Sequence, residues 1–516
     1  MCTLHNIIQP HNIVSPLSHL HITVNSPLIQ DIISLMDHQA TSPKSSLPLH
    51  PHIIIIAFPF PSHIRSMLNL AQLLCLSHLK VTFITTVHAR NNLLCISDVI
   101  SRFRRYSGFR FESIPDGLPD DHQRSGFGVV QVLHSLSATA KPLLKEIVAS
   151  GGEDSVPPRC IIADGLATFA VDVAEEVGVP VISFHPVSAA ATWAYFSIPS
   201  MIQAGELPFN GKDMDVPILS VKGMEQLLRR RDLPGNCRVN DLEDPFFKFV
   251  LEFLKCFRAK HHIINSFQEL EGSTIDRMRT GDMSNVYAIG PLHELLRNKL
   301  GTCMTTSSNG LHEDDKKCMD WLDGQPPNSV LYVCFGTLTL MSEETLVEFW
   351  HGLTNSGQRF LWALNPRLVM NGNREGGEVP IEILNNGLEG RCCVVEWAPQ
   401  QEVLAHSAVG GFLTHCGWNS MMESIVAGVP MIGWPFYADQ QVNSRFLGEV
   451  WKVGLDMKDT CDRHIIEEMV RDLMEVRKDE FLQRAKQFAN SAKECAKEGG
   501  SSISSLENLI EDIKRM

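Results

Sequence analysis

Short apolar runs alternate with amphipathic stretches along most of the chain. His52-Ile-Ile-Ile-Ile-Ala-Phe58 is apolar at consecutive positions, the pattern of a parallel strand buried on both faces. From Ile64 to Leu76 the residues Met67, Leu68, Leu70, Ala71 and Leu74 share one side of a helix. Val81-Thr-Phe-Ile-Thr85 then reads as a second strand, so the spacing predicts a βαβ unit. Cys160–Ala163, a helix over Thr168–Val177, and Val181–Phe184 repeat the pattern.

A polar stretch, Arg297 to Lys317, interrupts this alternation, with Gly301 and Thr305-Thr-Ser-Ser-Asn-Gly310 inside it. The alternation then resumes. Ser329–Phe335 is a strand, and Glu343–Ser356 a helix with Ser342 as N-cap and Gly357 just beyond its end. Phe360–Leu364, Cys392–Glu396, Gly411–Thr414 and Met431–Trp434 are further short strands. The pattern predicts an α/β chain with two Rossmann-like, doubly wound parallel-sheet domains facing across a cleft. Ligands in such sheets sit at the carboxyl ends of the strands. The expected organisation is a poorly ordered extension over 1–50, a first domain over 51–296, a linker over 297–317 and a second domain over 318–490. A C-terminal helix over 491–516 is expected to pack back on the first domain.

A length of 516 residues suits two domains better than one. The formal net charge of −14 repels nucleic acid and anionic lipid, so neither is expected as a partner. A phosphate-bearing ligand therefore needs a local anion site. The fourteen cysteines form no C-x-x-C pair and read as reduced thiols. The most apolar run, Ile53 to Phe60, is strand-length and broken by Pro59, so no membrane span is expected. The first fifty residues hold one basic side chain, Lys44, unlike a secretory or transit peptide. A cytoplasmic monomer is expected, with Met36 as an alternative start.

The densest chemical signal runs from Trp397 to Gln440. Trp397 ends a strand and offers a ring on which a planar base can stack. Thr414-His-Cys-Gly-Trp-Asn-Ser420 passes from strand to helix. Gly417 permits close backbone approach, and Asn419 or Ser420 is positioned to cap the helix. The N–H groups at that helix start, with Ser420 and His415, form an anion site suited to a diphosphate. Glu423 lies about one helical turn beyond Asn419, in reach of a ribose diol. Asp439 and Gln440 follow the next strand and offer acceptors and donors to a sugar.

This segment resembles the signature box of the plant secondary-product glycosyltransferases, family 1 UDP-dependent enzymes of GT-B fold. The match includes Trp397, Pro399, Gln400, His415, Gly417, Trp418, Asn419, Ser420, Glu423, Pro435, Asp439 and Gln440, and the resemblance runs from His52 to the C-terminus. It implies that Trp397 stacks on uracil while Gln400 and the Ala398 backbone read its edge. It assigns the diphosphate to His415, Asn419 and Ser420, the ribose to Glu423, and the sugar to Trp418, Asp439 and Gln440. Phe335-Gly-Thr337 resembles the family's Phe-Gly-Ser, and Thr337 keeps the hydroxyl. The implied donor is UDP-glucose as a co-substrate, with no cofactor and no metal.

In the first half, Ala57-Phe-Pro-Phe-Pro-Ser-His63 resembles the family segment ending in Gly-His, whose histidine is the catalytic base. Ser62 stands where Gly is common. A position just before a helix disfavours imidazolium and keeps His63 able to accept a proton. The implied partner is Asp164, in Cys160-Ile-Ile-Ala-Asp-Gly165, with a helix-cap role as its rival reading. The expected reaction is inverting glucosyl transfer to a hydroxyl or carboxyl of a small lipophilic acceptor. Trp193-Ala-Tyr-Phe196, Gly205-Glu-Leu-Pro-Phe209 and Arg229-Arg-Arg-Asp-Leu-Pro234 look similar to the iridoid glucosyltransferase branch acting on 7-deoxyloganetic acid. Asn365, where the family often has Arg, is a departure.

Competing chemistries lack their signatures. No G-x-G-x-x-G follows an early strand and no G-x-S-x-G elbow is present. A non-catalytic nucleotide-sugar-binding protein would not need both His63 and Asp164. Trp434 reads as a core aromatic and Gly428-Val-Pro430 as helix termination. Arg229–Arg231 reads as a solvated loop edge. Asp213-Met-Asp215 imitates a metal-binding Asp-x-Asp but lies among Gly211, Lys212 and Pro217, the setting of a surface loop.

Overall fold

The computed structural model describes residues 50–516 apart from 97–98, 121, 123, 125–127, 151–155, 282, 284, 302–312, 372–373, 376–378, 381–382 and 384–389. The extension expected over 1–50 lies outside these residues except for His50, as does most of the expected linker.

Seven strands form the first sheet: β1 (His52–Ile56), β2 (Lys80–Thr86), β3 (Phe109–Ile114), β4 (Cys160–Asp164), β5 (Val181–His185), β6 (His261–Ile264) and β7 (Val286–Ala288). They are parallel throughout, in the order β3-β2-β1-β4-β5-β6-β7. Ile53 to Ile56 are almost fully buried, as expected for a central strand covered on both faces. The order reverses direction between β1 and β4, which makes that gap the topological switch point.

The second sheet holds β8 (Val330–Cys334), β9 (Arg359–Ala363), β10 (Cys392–Val395), β11 (Val409–Thr414), β12 (Met431–Gly433) and β13 (Gly454–Asp456). It is also parallel, in the order β10-β9-β8-β11-β12-β13, with its switch point between β8 and β11. Two parallel doubly wound sheets give the expected GT-B architecture. Strands β6, β7 and β13 have three or four residues each, too short for a periodicity to reveal.

The helices that matter for the site are α1 (Pro61–Leu76), α2 (Phe169–Val177), α3 (Ala189–Phe196), α4 (Gln268–Thr280), α5 (Leu292–Leu300), α6 (Glu313–Asp323), α7 (Glu343–Asn355), α8 (Gln400–Ala405), α9 (Trp418–Ala427), α10 (Gln440–Arg445), α11 (Lys478–Cys495) and α12 (Ser501–Arg515). Helix α1 begins three residues before the expected Ile64. Pro61 occupies its first turn, where a missing N–H costs nothing and the fixed φ is already helical. His63 therefore lies inside the first turn and not ahead of the helix. Ser342 caps α7 as expected, its hydroxyl accepting from the Thr345 N–H. Gly428, at φ 75°, ends α9.

The polar stretch 297–317 is less of a loop than its composition suggests. Arg297–Leu300 closes α5, where Leu295 and Leu296 are buried and Arg297 pairs with Glu294. Residues 313–317 open α6, anchored by buried Cys318 and Leu322. Their charged composition hides the helical period. At the C-terminus two helices replace the single expected one, because Gly499, at φ 77°, breaks the run before α12. Helix α11 packs on both α9 and α4. Helix α12 lies against β7, with Ile503, Leu506, Leu509 and Ile513 buried and Tyr287 donating to Asp512 at 2.6 Å. One hydrophobic cluster crosses the boundary between the sheets, joining Ile264 and Phe267 to Trp418, Phe446 and Trp451.

Candidate active site

At the first switch point, α1 leaves β1 and presents His63, while β4 ends on Asp164. His63 Nδ1 lies 2.8 Å from Asp164 Oδ2. The carboxylate is fully buried and the imidazole is 16 % exposed. A carboxylate partner fixes the proton on Nδ1 and leaves the lone pair on Nε2. Asp164 Oδ1 accepts the Leu166 N–H at 3.0 Å and shapes the turn after β4, while the N-cap of α2 is Thr168, so Asp164 is not the helix cap of its rival reading. Phe60 meets the His63 ring edge-on at 5.4 Å.

At the second switch point, β11 runs into α9 through His415, Cys416 and Gly417. Cys416 holds φ 63° and Gly417 is the N-cap, without a side-chain capping bond. Neither Asn419 nor Ser420 caps the helix, contrary to expectation, because both side chains are used elsewhere. Asn419 Nδ2 donates to the Ser62 carbonyl at 2.8 Å, and its Oδ1 accepts from the Ser66 hydroxyl at 2.9 Å. Ser420 Oγ accepts from Gln400 Nε2 at 3.0 Å. The first turn of α1 is thereby docked on the start of α9, and His63 is held beside the donor motif. Serine at position 62 serves this contact as glycine would, since only its carbonyl takes part.

The ring of His415 is closely wrapped. A Cβ at Gly336 would lie 2.7 Å from its Nε2, and one at Gly417 would lie 2.3 Å from it, so both glycines are required for the backbone to pass. Burial pulls the His415 pKa down to about 4, which keeps it neutral at physiological pH. Thr337 is exposed beside Gly336 at the end of β8. Glu423 is buried and accepts from Gln400 Nε2 at 2.7 Å and Gln401 Nε2 at 2.8 Å, with Arg65 of α1 at 3.6 Å. Trp397 lies two residues past the end of β10, on the loop leading to α8, and the residue is 46 % exposed. Ala398 beside it is buried.

Trp418, which the resemblance assigns to the sugar, is held by its side chain at the boundary between the domains. Its indole is buried against Trp451, and Nε1 donates to the Asn265 carbonyl at 2.8 Å. The part of Trp418 turned to the helix start is its main chain. Asp439 and Gln440 follow β12 as expected. Gln440 Oε1 accepts the N–H groups of Phe436 and Tyr437 at 2.8 and 3.0 Å and so shapes the loop. Burial pushes the Asp439 pKa up to about 6, opposed by a hydrogen bond from Asn443 at 2.6 Å.

Several contributors carry no motif signal: Arg65, Ser66, Ser188, Asn265 and Asn443 meet the site only through the fold. Trp434 is a core aromatic, edge-on to Phe335 and Phe349. Arg229–Arg231 is not a solvated edge, because Arg229 pairs with buried Asp232 at 2.8 Å and Arg231 with Asp215 at 2.7 Å. Burial of Asp232 beneath them converts a basic run into an ion-pair cluster. The Asp215 carboxylate is thus shared by two arginines. Asn365 caps a short turn by accepting from the Arg367 N–H. Among the described residues, no group of three or more His, Cys, Asp or Glu side chains is arranged to hold a metal, and no helix is long and apolar enough to cross a membrane.

Residues 300–481, the span containing α9, match the family profile described as UDP-glucoronosyl and UDP-glucosyl transferase. The chain is 49 % identical over 483 residues to a 7-deoxyloganetic acid glucosyl transferase of Catharanthus roseus, covering 92 % of this chain and 99 % of that protein. It is 40 % identical over 468 residues to a myricetin 3-O-rhamnoside 1,2-glucosyltransferase of Crocosmia x crocosmiiflora, covering 90 % and 96 %. Among solved structures, UGT71G1 of Medicago truncatula complexed with UDP-glucose superposes with a TM-score of 0.72 at 27 % identity, covering 90 % of this chain and 98 % of that one. Os79 of O. sativa in complex with UDP gives 0.73 at 27 %, covering 89 % and 100 %. Identity that runs nearly the full length of both chains, over a fold with two facing switch points, makes this protein a member of the UDP-glucosyl transferase family.

Proposed function

We propose that this glucosyltransferase moves glucose from UDP-glucose, with inversion, onto a hydroxyl or carboxyl of a small lipophilic plant metabolite of the iridoid or terpenoid class. The observation that carries the reading is the His63–Asp164 pair at one switch point, docked through Ser62 and Asn419 on the start of α9 at the other. His63 Nε2 takes the proton from the acceptor hydroxyl. The acceptor oxygen attacks the anomeric carbon in line and forms the new C–O bond. The bond from that carbon to the diphosphate oxygen breaks, and UDP leaves with the electron pair. Asp164 stabilises the imidazolium that forms. An α-linked donor gives a β-glucoside.

The negative charge that grows on the diphosphate meets the N–H groups at the start of α9, with His415 and Ser420 beside them. In this reading Trp397 stacks on the base, with Ala398 and Gln400 at its edge and Thr337 on the phosphate. Glu423 takes the ribose, and Asp439 and Gln440 the sugar. No metal is required, and the chain works as a cytosolic monomer. The iridoid class is favoured by identity to the Catharanthus enzyme through both halves of the chain, acceptor side included. The test is a panel of UDP-sugars against 7-deoxyloganetic acid, other terpenoid alcohols and flavonols, read by product mass and anomeric configuration. A β-glucosylated iridoid is expected. An α-linked product would sink the inverting mechanism, and turnover of flavonols alone would sink the acceptor class.

A further inference from the structure

We propose that Asn443 is the positioning residue that fixes the Asp439 carboxylate for the donor sugar and couples it to closure of the two domains. The inference rests on the reading of Asp439 as a sugar ligand. Asn443 lies on α10, is fully buried, and has every polar atom engaged. Its Nδ2 donates to Asp439 Oδ2 at 2.6 Å and to the Cys416 carbonyl at 3.0 Å. Its Oδ1 accepts from the Ser188 hydroxyl at 2.7 Å. A main-chain carbonyl can only accept, so the Cys416 contact fixes which end of the amide is which.

These three bonds reach three different parts of the site. Cys416 belongs to the turn that starts α9, where the donor diphosphate is read. Asp439 starts the helix that carries Asn443. Ser188 belongs to the other domain, where it caps α3 by accepting the Ala191 N–H at 3.0 Å. Ser188 is itself held firmly. Buried Glu271 accepts the N–H groups of Ala189 and Ala190, both at 2.9 Å, and the Ser266 hydroxyl at 2.6 Å. Cys416 and Asp439 orient the amide from within the second domain, and the Ser188 hydroxyl, from the first, adds the donor that its Oδ1 accepts and so reinforces that orientation.

The carboxylate must be ionised to accept from two sugar hydroxyls, and burial works against that. The titratable groups facing Asp439 are His63 from α1, Tyr195 from α3, Cys416 from the donor turn and Tyr437 from its own loop. Tyr195 gives its hydroxyl to Asn236. The Asn443 amide is the side-chain donor on the carboxylate, so it favours the charged form by direct hydrogen bonding.

The experiment measures binding, not turnover, which leaves the proton transfer to His63 out of the readout. UDP and UDP-glucose are titrated by calorimetry into the full chain from about pH 5 to about pH 8.5, a range that spans the carboxylate's titration. Wild type is compared with Asp439→Asn, Asn443→Ala and Ser188→Ala. UDP should bind all four within about twofold. In Asn443→Ala the ratio of UDP-glucose to UDP affinity should fall roughly tenfold at neutral pH, the scale of one charge-assisted hydrogen bond. Its acidic limb should move to higher pH. Ser188→Ala should shift both in the same direction by less. An Asn443→Ala protein with a wild-type ratio and an unmoved acidic limb overturns the proposal. Should that variant not fold, a wild-type ratio and limb in Ser188→Ala overturns it instead. A pH-dependent, wild-type ratio in Asp439→Asn would defeat the sugar-ligand reading on which the proposal stands, whatever Asn443→Ala does.

Discussion

The indole N–H of Trp418 and the main-chain carbonyl of Asn265 are hydrogen bonded at 2.8 Å across the boundary between the two sheets. The motif around Trp418 thus contributes to domain contact. Replacing the indole with the smaller phenyl ring leaves the Asn265 carbonyl without that donor, at a cost of about 1–3 kcal/mol, and thins the packing on Trp451. Trp418→Phe should therefore lower the melting temperature yet keep the preference for UDP-glucose over UDP-galactose. A lost sugar preference with unchanged stability would show that the indole touches the sugar after all.

The His63–Asp164 bond predicts a non-additive pair. Loss of the base should slow transfer to an aliphatic alcohol by about 10²–10⁴-fold. His63→Ala should keep UDP binding, because the anion site belongs to the other domain. Asp164→Asn should lose less, and the double variant should be little worse than His63→Ala alone. Single-turnover rates check this. Near-wild-type transfer by folded His63→Ala would remove the base assignment.

The buried carboxylate of Asp439 predicts a cost in stability. Burial raises its pKa from 3.8 to about 6 in the folded protein. For a carboxyl raised on folding, the folded state binds the proton more tightly, so the penalty is absent below about pH 4 and complete above about pH 6. At neutral pH that penalty is on the order of 3 kcal/mol. Asp439→Asn should melt above wild type at about pH 7.5, with the difference closing toward pH 4. Melting curves across that window decide it, and a pH-independent difference would count against the ionised, buried carboxylate.

The pairing of Asp215 with Arg229 and Arg231 predicts insensitivity to chelation. Turnover should survive exhaustive EDTA treatment, since the helix start, His415 and Ser420 suit a diphosphate without a cation. Complete loss of activity restored by manganese would contradict this.

Much of the architecture was legible in the sequence because it depends on local pattern. Ile53–Ile56 reads as a buried parallel strand whatever surrounds it, and the motif from Thr414 to Ser420 carries its strand-to-helix turn in its own glycine. Legibility failed where a residue's role is set by a partner far along the chain. Asn419 has the composition of a helix cap, but its partners are Ser62 and Ser66, more than 350 positions away. The run Arg229–Arg231 looks solvated until Asp232 is seen to be buried with Lys458 at 2.9 Å. Asn443 has no periodicity, charge or spacing to single it out, because its three bonds converge only in the folded chain. Strand β3 and the short strands β6, β7 and β13 were missed: β3 is an edge strand that mixes Arg110 and Glu112 with its apolar residues, and the other three offer only three or four residues each.

The return of the C-terminus to the first sheet limits how the cleft can move. The chain passes from the first sheet to the second after α5 and comes back between α11 and α12, where α12 seats on β7. Two covalent crossings join the halves, so they are bound as a book is bound at its spine. Such a joint resists separation of the halves. The hydrogen bonds of Asn419 to Ser62 and of Asn443 to Ser188 tie the same two halves together as stitching does, beside the two covalent crossings.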